Sequence, residues 1–221
     1  MGGRGLVIFD LDGTLFRADA VTLPAAQRAF REQGLPAPSE EEVRRFIGKP
    51  TPQFHAWLAD VCPAGAGAAV AEALDRYEIE LVHQVGELYP GVWEALEGLR
   101  RRAAAMAVCT NGPRPYVDAV MESRGLRPFF DLVLDAQSGH GGKAGMVRAV
   151  LAQTPERPGA VVGDRADDVE AARANGLKAV GVTYGIGSPD ELGSADVLVH
   201  SPGELCRVVS GLLDGQREHN R

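Results

Sequence analysis

The sequence predicts an α/β protein with a doubly wound parallel sheet and an all-helical insert. Short apolar runs rich in β-branched residues alternate with segments of helical periodicity, a pattern typical of a parallel sheet with helices on both faces. Residues 17–87 break this alternation, because that stretch has helical patterns without a convincing strand. An acidic side chain follows the first run directly and the fourth run after one glycine, and open parallel sheets bind ligands at these strand ends.

The first apolar run, Leu6–Phe9, is short and unbroken, as expected of a strand buried on both faces. Two aspartates and a Gly-Thr turn follow it directly. Runs of similar length recur downstream and predict the remaining strands of the sheet. They are Ala105–Cys109, Leu132–Leu134, Ala160–Val162, Ala179–Val182 and Val197–Val199.

The stretch between the first two strands is divided by several prolines and glycines into successive helical segments. A turn at Tyr89–Gly91 then returns the chain to the α/β pattern. We therefore expect an α/β core made of residues 1–16 and 88–221, interrupted by a helical cap domain of residues 17–87.

The composition is that of an ordinary globular protein and excludes several classes of function. The net charge of −7 argues against a nucleic-acid surface, which needs clustered cations. The apolar runs are shorter than the roughly 18 residues of a membrane-spanning helix, and no long apolar stretch of a signal peptide is evident at the N-terminus. We therefore expect a cytoplasmic protein without nucleic-acid or membrane partners. Its three cysteines, odd in number and widely spaced, indicate reduced thiols: Cys62, Cys109 and Cys206.

Candidate functional side chains lie where the predicted strands end. Because the carboxyl ends of parallel strands meet at one edge of a sheet, these side chains are expected to converge. Carboxylates crowded together repel one another, and a hard divalent cation such as Mg²⁺ is the usual resolution. The residues at this edge are Asp10, Asp12, Thr110, Asn111, Lys143, Asp164 and Asp168.

The block Asp10–Leu15 resembles the first motif of the haloacid dehalogenase superfamily of phosphotransferases. Later blocks match that family in order and spacing, at Thr110, Asn111, Lys143 and Gly163–Asp168. The resemblance covers essentially the whole chain. It is greatest to the phosphoglycolate phosphatase-like group, whose members carry a helical cap just after the first motif.

This resemblance implies a role for each acidic residue. Asp10 would be the nucleophile that accepts the phosphoryl group, and Asp12 the acid that protonates the departing oxygen. The Asp10 and Asp164 carboxylates and the Asp12 backbone carbonyl would bind Mg²⁺, which screens the charge of an attacking carboxylate. Asp168 would hold the water shell of the metal or Asp164 itself. A helix cap is the alternative interpretation of Asp164.

The resemblance also implies three groups that contact the phosphoryl group. Thr110 would hydrogen-bond a transferring oxygen, with help from the Asn111 backbone amide, and Lys143 would neutralise charge in the transition state. Thr110 could instead be a helix N-cap. Lys143 departs from the family pattern, since Ala144 follows it where relatives often have proline, and a solvated lysine is the alternative. His140, in the preceding Gly-rich loop, is interpreted as a surface residue.

Two cationic residues of the insert are candidate substrate ligands. Lys49 lies in a segment that resembles the part of the cap facing the active site, so it would meet the distal group of the substrate; an exposed helix-end lysine is the alternative. Arg17 would either bind an anionic substrate or cover the hinge of the cap. His55, with its neighbours Phe54 and Trp57, is interpreted as cap core and rim.

The predicted function is hydrolysis of a small phosphorylated metabolite through a phosphoaspartate intermediate, by a monomer or homodimer. A sugar phosphomutase would use the same aspartates, and a catalytically silent metabolite-binding regulator would keep the fold. A haloalkanoate dehalogenase is disfavoured, because Asp12 is a proton donor that a halide leaving group does not require.

Overall fold

The computed structural model describes residues 5–154 and 159–215, so the remaining parts of the predicted core lie outside it. The strands in this part are β1 (Leu6–Phe9), β2 (Ala105–Cys109), β3 (Leu132–Leu134), β4 (Gly159–Gly163), β5 (Lys178–Val182) and β6 (Val197–Val199). The helices are α1 (Asp19–Glu32), α2 (Glu40–Arg44), α3 (Thr51–Val61), α4 (Gly67–Val85), α5 (Val92–Arg100), α6 (Arg114–Ser123), α7 (Lys143–Gln153), α8 (Ala166–Ala174) and α9 (Pro202–Gly215), with 3₁₀ turns at Arg127–Phe129 and Pro189–Leu192.

The strands form one parallel sheet in the order β3-β2-β1-β4-β5-β6. The chain builds outward from β1 to one edge and then crosses to β4 on the other side of β1. The point where the direction of winding reverses therefore lies between β1 and β4, and such switch points open a crevice at the carboxyl ends of the strands. The predicted fold class is confirmed.

Helices cover both faces of the sheet, and successive side chains of β1 point to opposite faces. Val7 and Phe9 belong to the hydrophobic core that also includes α5, α9 and the insert helices. Leu6 and Ile8 belong to a second core, formed with α7 and α8. This double burial explains the unbroken apolar runs in the sequence.

The chain between β1 and α5 forms four helices, α1 to α4, in which α1 and α4 pack against each other. The two ends of this insert lie side by side. Phe16 forms an antiparallel bridge with Leu88, and the Arg17 amide donates to the Glu87 carbonyl. The insert is helical as predicted, whereas the division into two domains at residues 17 and 87 stays a prediction.

Two further expectations concern the chain as a whole. The three cysteines are unpaired, as predicted; Cys62 and Cys109 are buried, and Cys206 is partly exposed. Among the residues described, no helix combines the length and the apolar character that a bilayer crossing requires.

Candidate active site

The registers of β1, β2 and β4 bring their carboxyl ends to one level. Phe9 pairs with Val108 of β2 and with Val162 of β4, so that Asp10 and Asp164 follow adjacent strands directly. Both side chains are 1 % exposed. The sheet thus places two buried carboxylates next to each other at the switch point, where the sequence predicts a site.

Asp168, one turn into α8, completes a buried cluster with these two carboxylates. One carboxylate oxygen from each of Asp10, Asp164 and Asp168 lies within 4.8 Å of the others. Lys143, the first residue of α7, is also buried, and its Nζ lies 3.1 Å from Asp10 Oδ1 and 2.7 Å from Asp168 Oδ1. The structure therefore brings together four of the predicted site residues and pairs Asp168 with Lys143. The predicted role of Asp168 towards the water shell of the metal or Asp164 stays a prediction.

Burial dominates the electrostatics of this cluster. It raises the pKa of Asp10 above its ordinary value, against the opposing attraction of Lys143. It also raises the pKa of Asp168 to about 7, again opposed by Lys143. The carboxylates in turn raise the pKa of Lys143 despite its own burial, so the ammonium group stays charged. One ammonium beside three carboxylates leaves an excess of negative charge when all are ionised.

Asp164 is held by the loop after β5 and approached closely by the turn after β1. Its Oδ2 accepts hydrogen bonds of 2.8 Å from the backbone amides of Ile186 and Gly187. These bonds oppose the rise in the pKa of Asp164 that burial causes. Gly13 has φ of +80°, and a Cβ there would lie 2.2 Å from Asp164 Oδ2. Only glycine therefore fits both the turn and the space beside this carboxylate.

Asp12 points to a different neighbour from the other carboxylates. Its Oδ1 accepts a hydrogen bond of 2.6 Å from the hydroxyl of Tyr116 on α6. Burial raises the pKa of Asp12 to about 6, and the bond from Tyr116 opposes that rise. A carboxyl group with a pKa near neutrality can both donate and accept a proton under physiological conditions.

A cavity of about 70 Å³ lies between the core and the insert, with Asp12 and Asn111 on the core side. The insert contributes Lys49, His55 and Glu78, among others. Glu78 is buried and accepts a hydrogen bond of 2.5 Å from Thr22, and burial raises its pKa to about 8. The part of the cavity lined by the insert therefore carries both basic and acidic side chains.

Known proteins resemble the chain over nearly its whole length. The profile of the haloacid dehalogenase-like hydrolases matches residues 7–182. The chain belongs to this family. The phosphoglycolate phosphatase of Vibrio parahaemolyticus is 32% identical over 219 residues, which cover 93% of this chain and 96% of that protein. The probable phosphatase IndB of Dickeya dadantii is 31% identical over 221 residues, covering 95% of each chain.

Solved structures support the same assignment. A predicted phosphoglycolate phosphatase from Haemophilus somnus superposes with a TM-score of 0.84 at 25% identity, covering 94% of this chain and 99% of that one. The prediction that this haloacid dehalogenase-like protein is a hydrolase related to phosphatases is confirmed.

The donor set of this hydrolase fits a divalent cation. Asp10 Oδ2 is buried and has no hydrogen-bond partner among the described residues, although a buried carboxylate oxygen normally has one. The neighbouring donors of Asp164 and Asp168 are also carboxylate oxygens. Hard divalent cations prefer such ligands, and a charge of two would offset the excess negative charge of the cluster.

The two predicted site residues that follow β2 have different surroundings. Thr110 is buried, and its Oγ1 accepts from the Gly112 amide at 3.1 Å. Asn111 lies on the wall of the cavity and donates to Gly48 O of the insert at 3.0 Å. Neither Thr110 nor Asp164 is a helix N-cap, because α6 and α8 begin after other residues.

Arg17 is half exposed and ion-paired with Glu87 at the junction of the insert, outside the lining of the cavity. This position agrees with the second interpretation of Arg17, cover of the hinge, and its role in substrate binding stays a prediction. His140 is exposed as expected and lines a neighbouring surface depression, which shares Thr51 and Asn111 with the cavity.

Sequence reasoning missed two residues that line the site, Tyr116 and Glu78, and one residue next to it, Arg165. Their contacts join elements that are far apart in the chain, as in the Tyr116–Asp12 bond between α6 and the turn after β1. For Arg165 one signal was present, since it directly follows a predicted metal ligand at a strand end.

Proposed function

We propose that this protein hydrolyses a small phosphate monoester in the presence of Mg²⁺, through a phosphoaspartate formed on Asp10. The observation that carries the proposal is the environment of the Asp10 carboxylate. It is buried at the switch point of the sheet, with one oxygen 3.1 Å from Lys143 Nζ and the other without a hydrogen-bond partner among the described residues. A carboxylate held in this way is available to a metal and to an electrophile.

The reaction would proceed in two steps. An Asp10 oxygen attacks phosphorus while the bond from phosphorus to the ester oxygen breaks, and Asp12 donates its proton to the departing alkoxide. Asp12, now ionised, removes a proton from water, which attacks the phosphorus of the acyl phosphate. Inorganic phosphate then leaves and the Asp10 carboxylate is restored. The pKa of about 6 supports both roles of Asp12.

The other groups would bind and orient the phosphoryl group. Thr110 would hydrogen-bond one of its oxygens, and Lys143 would offset its charge while holding Asp10 in place. Mg²⁺, held by the carboxylates of Asp10 and Asp164 and by the Asp12 carbonyl, would supply further charge neutralisation. Asp168 supports this arrangement through its contact with Lys143 at 2.7 Å.

Two nitrogen-bearing side chains of the cavity support a small substrate with a second anionic group. A volume of about 70 Å³ next to Asp12 leaves room for a leaving group of few atoms. Lys49 and His55 contribute nitrogen groups to its wall. Together with the names of the curated relatives, this supports a phosphoglycolate-like substrate.

A panel of phosphate esters tests the proposal by release of inorganic phosphate with Mg²⁺ present. We expect turnover of 2-phosphoglycolate by the wild type and none by Asp10→Asn, which keeps the shape of the side chain but not the nucleophile. Phosphate release by Asp10→Asn at the wild-type rate, or activity that survives exhaustive chelation, would show the mechanism to be wrong. Formation of an isomerised sugar phosphate would identify a mutase.

A further inference from the structure

We infer that Arg165 is a positioning residue that holds the covering segment, residues 44–51 of the insert, over the active site. The inference deepens the proposed function and rests on it, because the covering segment carries Lys49. Arg165 follows Asp164 directly at the end of β4 and is only 5 % exposed. The contacts of its guanidinium group run from the core to the insert.

One nitrogen of Arg165 binds the main chain of the covering segment. Its NH2 group donates to the carbonyl of Ile47 at 2.7 Å and to that of Arg44 at 3.2 Å. These carbonyls lie at the end of α2 and just after it, where helix carbonyls have no partner within the helix. The guanidinium thus satisfies acceptors at the end of this short helix and fixes its position relative to β4.

The other end of the guanidinium is anchored to the core. Its NH1 group lies 2.8 Å from Glu191 Oε1, and Glu191 itself accepts from the backbone amides of Ser188 and Ala166. Glu191 is therefore held by two core segments. Because a planar guanidinium donates in fixed directions, the anchored group also fixes where the insert carbonyls must lie.

Burial makes this contact strongly dependent on the position of the insert. If the covering segment moved away, Arg165 would lose its hydrogen bonds to the carbonyls of Ile47 and Arg44. Water would then have to replace both the guanidinium and the carbonyl partners. Leaving buried polar groups unpaired is costly, and hydrogen bonds to charged donors are stronger than neutral ones. These hydrogen bonds favour the arrangement in which the covering segment lies against Arg165, with or without substrate.

A second contact holds the same segment next to the catalytic loop. Asn111 donates to Gly48 O at 3.0 Å and accepts from the Thr51 hydroxyl at 3.3 Å through its backbone carbonyl. A Cβ on Gly48 would lie 3.8 Å from the carbonyl of Asp12 and 3.9 Å from Arg165 Nε. The covering segment therefore reaches the carbonyl proposed as a metal ligand, and Lys49 follows at the next position.

Two neighbouring residues at the end of β4 therefore have different roles. Asp164 contributes to the carboxylate cluster, and Arg165 places the covering segment. The position at which Lys49 meets the substrate would therefore depend on Arg165, through the covering segment. Removing Arg165 should weaken binding of a substrate that uses Lys49 and spare the chemistry on one that does not.

Hydrogen exchange and kinetics on the full chain test the inference with a matched control. The variants are Arg165→Gln and Arg165→Lys. The control is Arg173→Gln, because Arg173 lies on α8, the helix that follows Arg165, and donates to Ser194 O rather than to the insert. We expect exchange of backbone amides in residues 44–51 to accelerate about tenfold or more in both Arg165 variants and to stay unchanged in the control. The lysine variant keeps the charge beside Asp164, so its Mg²⁺ requirement should match the wild type.

The kinetic readout is the split between KM and kcat for two probes. For 2-phosphoglycolate we expect KM to rise about tenfold in the Arg165 variants, and for p-nitrophenyl phosphate both constants should stay within about twofold of the wild type. If Arg165→Gln does not fold, Glu191→Ala replaces it, because that change removes the acceptor that anchors the guanidinium and keeps Arg165 itself. Unchanged exchange in residues 44–51 in the folded variants overturns the inference.

The two proposals can fail separately. If the wild type hydrolyses neither probe, the proposed function is wrong, and the exchange measurement still decides whether Arg165 holds the covering segment. If the wild type hydrolyses both probes and the variants lose them in equal proportion without faster exchange, the function stands and the positioning role of Arg165 is wrong.

Discussion

Asp12 is the residue whose proposed role depends most on the substrate. Asp12→Ala should keep phosphoryl transfer from p-nitrophenyl phosphate, because a nitrophenolate leaves without a proton, and should lose transfer from alkyl esters. Hydrolysis of the acyl phosphate needs the same side chain as a base, so the variant should stall as phosphoprotein. Rapid quench should show a nitrophenol burst approaching one equivalent per site.

Tyr116→Phe is the companion variant for this experiment. It removes the hydrogen bond to Asp12 and leaves the carboxyl group in place. We expect slower turnover of alkyl esters than of aryl esters but no burst. Equal fractional losses on both ester types in Asp12→Ala, without a burst, would mean that Asp12 has only a structural role.

Glu78 predicts a dependence of stability on pH. Burial raises its pKa from 4.5 to about 8, so between these values the folded chain keeps a proton that the unfolded chain has lost. Stability therefore falls as pH rises through this window, by up to about 1.4 kcal/mol per pH unit. Glu78→Gln removes this pH dependence. The melting temperature of the variant minus that of the wild type should therefore increase as pH rises from 5 to 8, measured in steps of about 1 pH unit.

Glu72→Gln is the control for Glu78, because it makes the same chemical change at an exposed position of α4. Thermal unfolding of the three proteins across the pH series gives the comparison. A constant difference between Glu78→Gln and the wild type at every pH would mean that Glu78 is ionised in the folded protein.

At the scale of elements, the turn after β1 can be tested with a pair of glycines. Gly13 and Gly34 both have positive φ, +80° and +69°, but only Gly13 has a side chain within 4 Å of a built Cβ. Alanine at either position should cost about 1–2 kcal/mol of stability through backbone strain. Only Gly13→Ala should also lose stabilisation by Mg²⁺, because its methyl group displaces Asp164, and melting curves with and without Mg²⁺ measure both effects.

The insert is expected to set substrate preference through Lys49. Lys49→Ala should lower kcat/KM for 2-phosphoglycolate by about tenfold or more relative to p-nitrophenyl phosphate, since an anionic group would lose its cationic partner. Arg17→Ala is the comparison, because Arg17 pairs with Glu87 away from the cavity lining. If Lys49→Ala keeps the wild-type order of substrate preference, Lys49 does not determine specificity.

The elements themselves could be predicted closely from the sequence. The strand runs predicted from apolar patterning agree with β1, β2, β3 and β6 and differ by one residue or fewer at either end of β4 and β5. Strands buried on both faces leave a strong local pattern. The contacts of Tyr116 and Arg165 leave no local sequence pattern, because their partners lie in elements that are distant in sequence.

At the scale of the whole molecule, cation binding and folding should be coupled. The carboxylates of Asp10, Asp164 and Asp168 repel one another in the folded state, and an ion that binds only that state stabilises it. Mg²⁺ at a hundredfold excess over Kd should raise the melting temperature by about 5–10 °C. Asp164→Asn should show no such rise, and its metal-free form should be at least as stable as the wild type.

Calcium separates binding from catalysis in the same assay. Its larger and looser coordination shell should let it stabilise the fold while it inhibits turnover, because both Asp10 oxygens could then be engaged. Equal turnover with Ca²⁺ and Mg²⁺ would contradict the role of Asp10 as a metal-bound nucleophile.

The side-by-side ends of the insert have a consequence for how such enzymes diversify. Because Phe16 pairs with Leu88 and the Arg17 amide bonds to Glu87, the polypeptide leaves the sheet and returns to it at a single point. A foreign segment with closely spaced ends can therefore be spliced in there without shifting any strand. Recombination at this junction would exchange the whole insert while the carboxylates of the candidate site stay untouched.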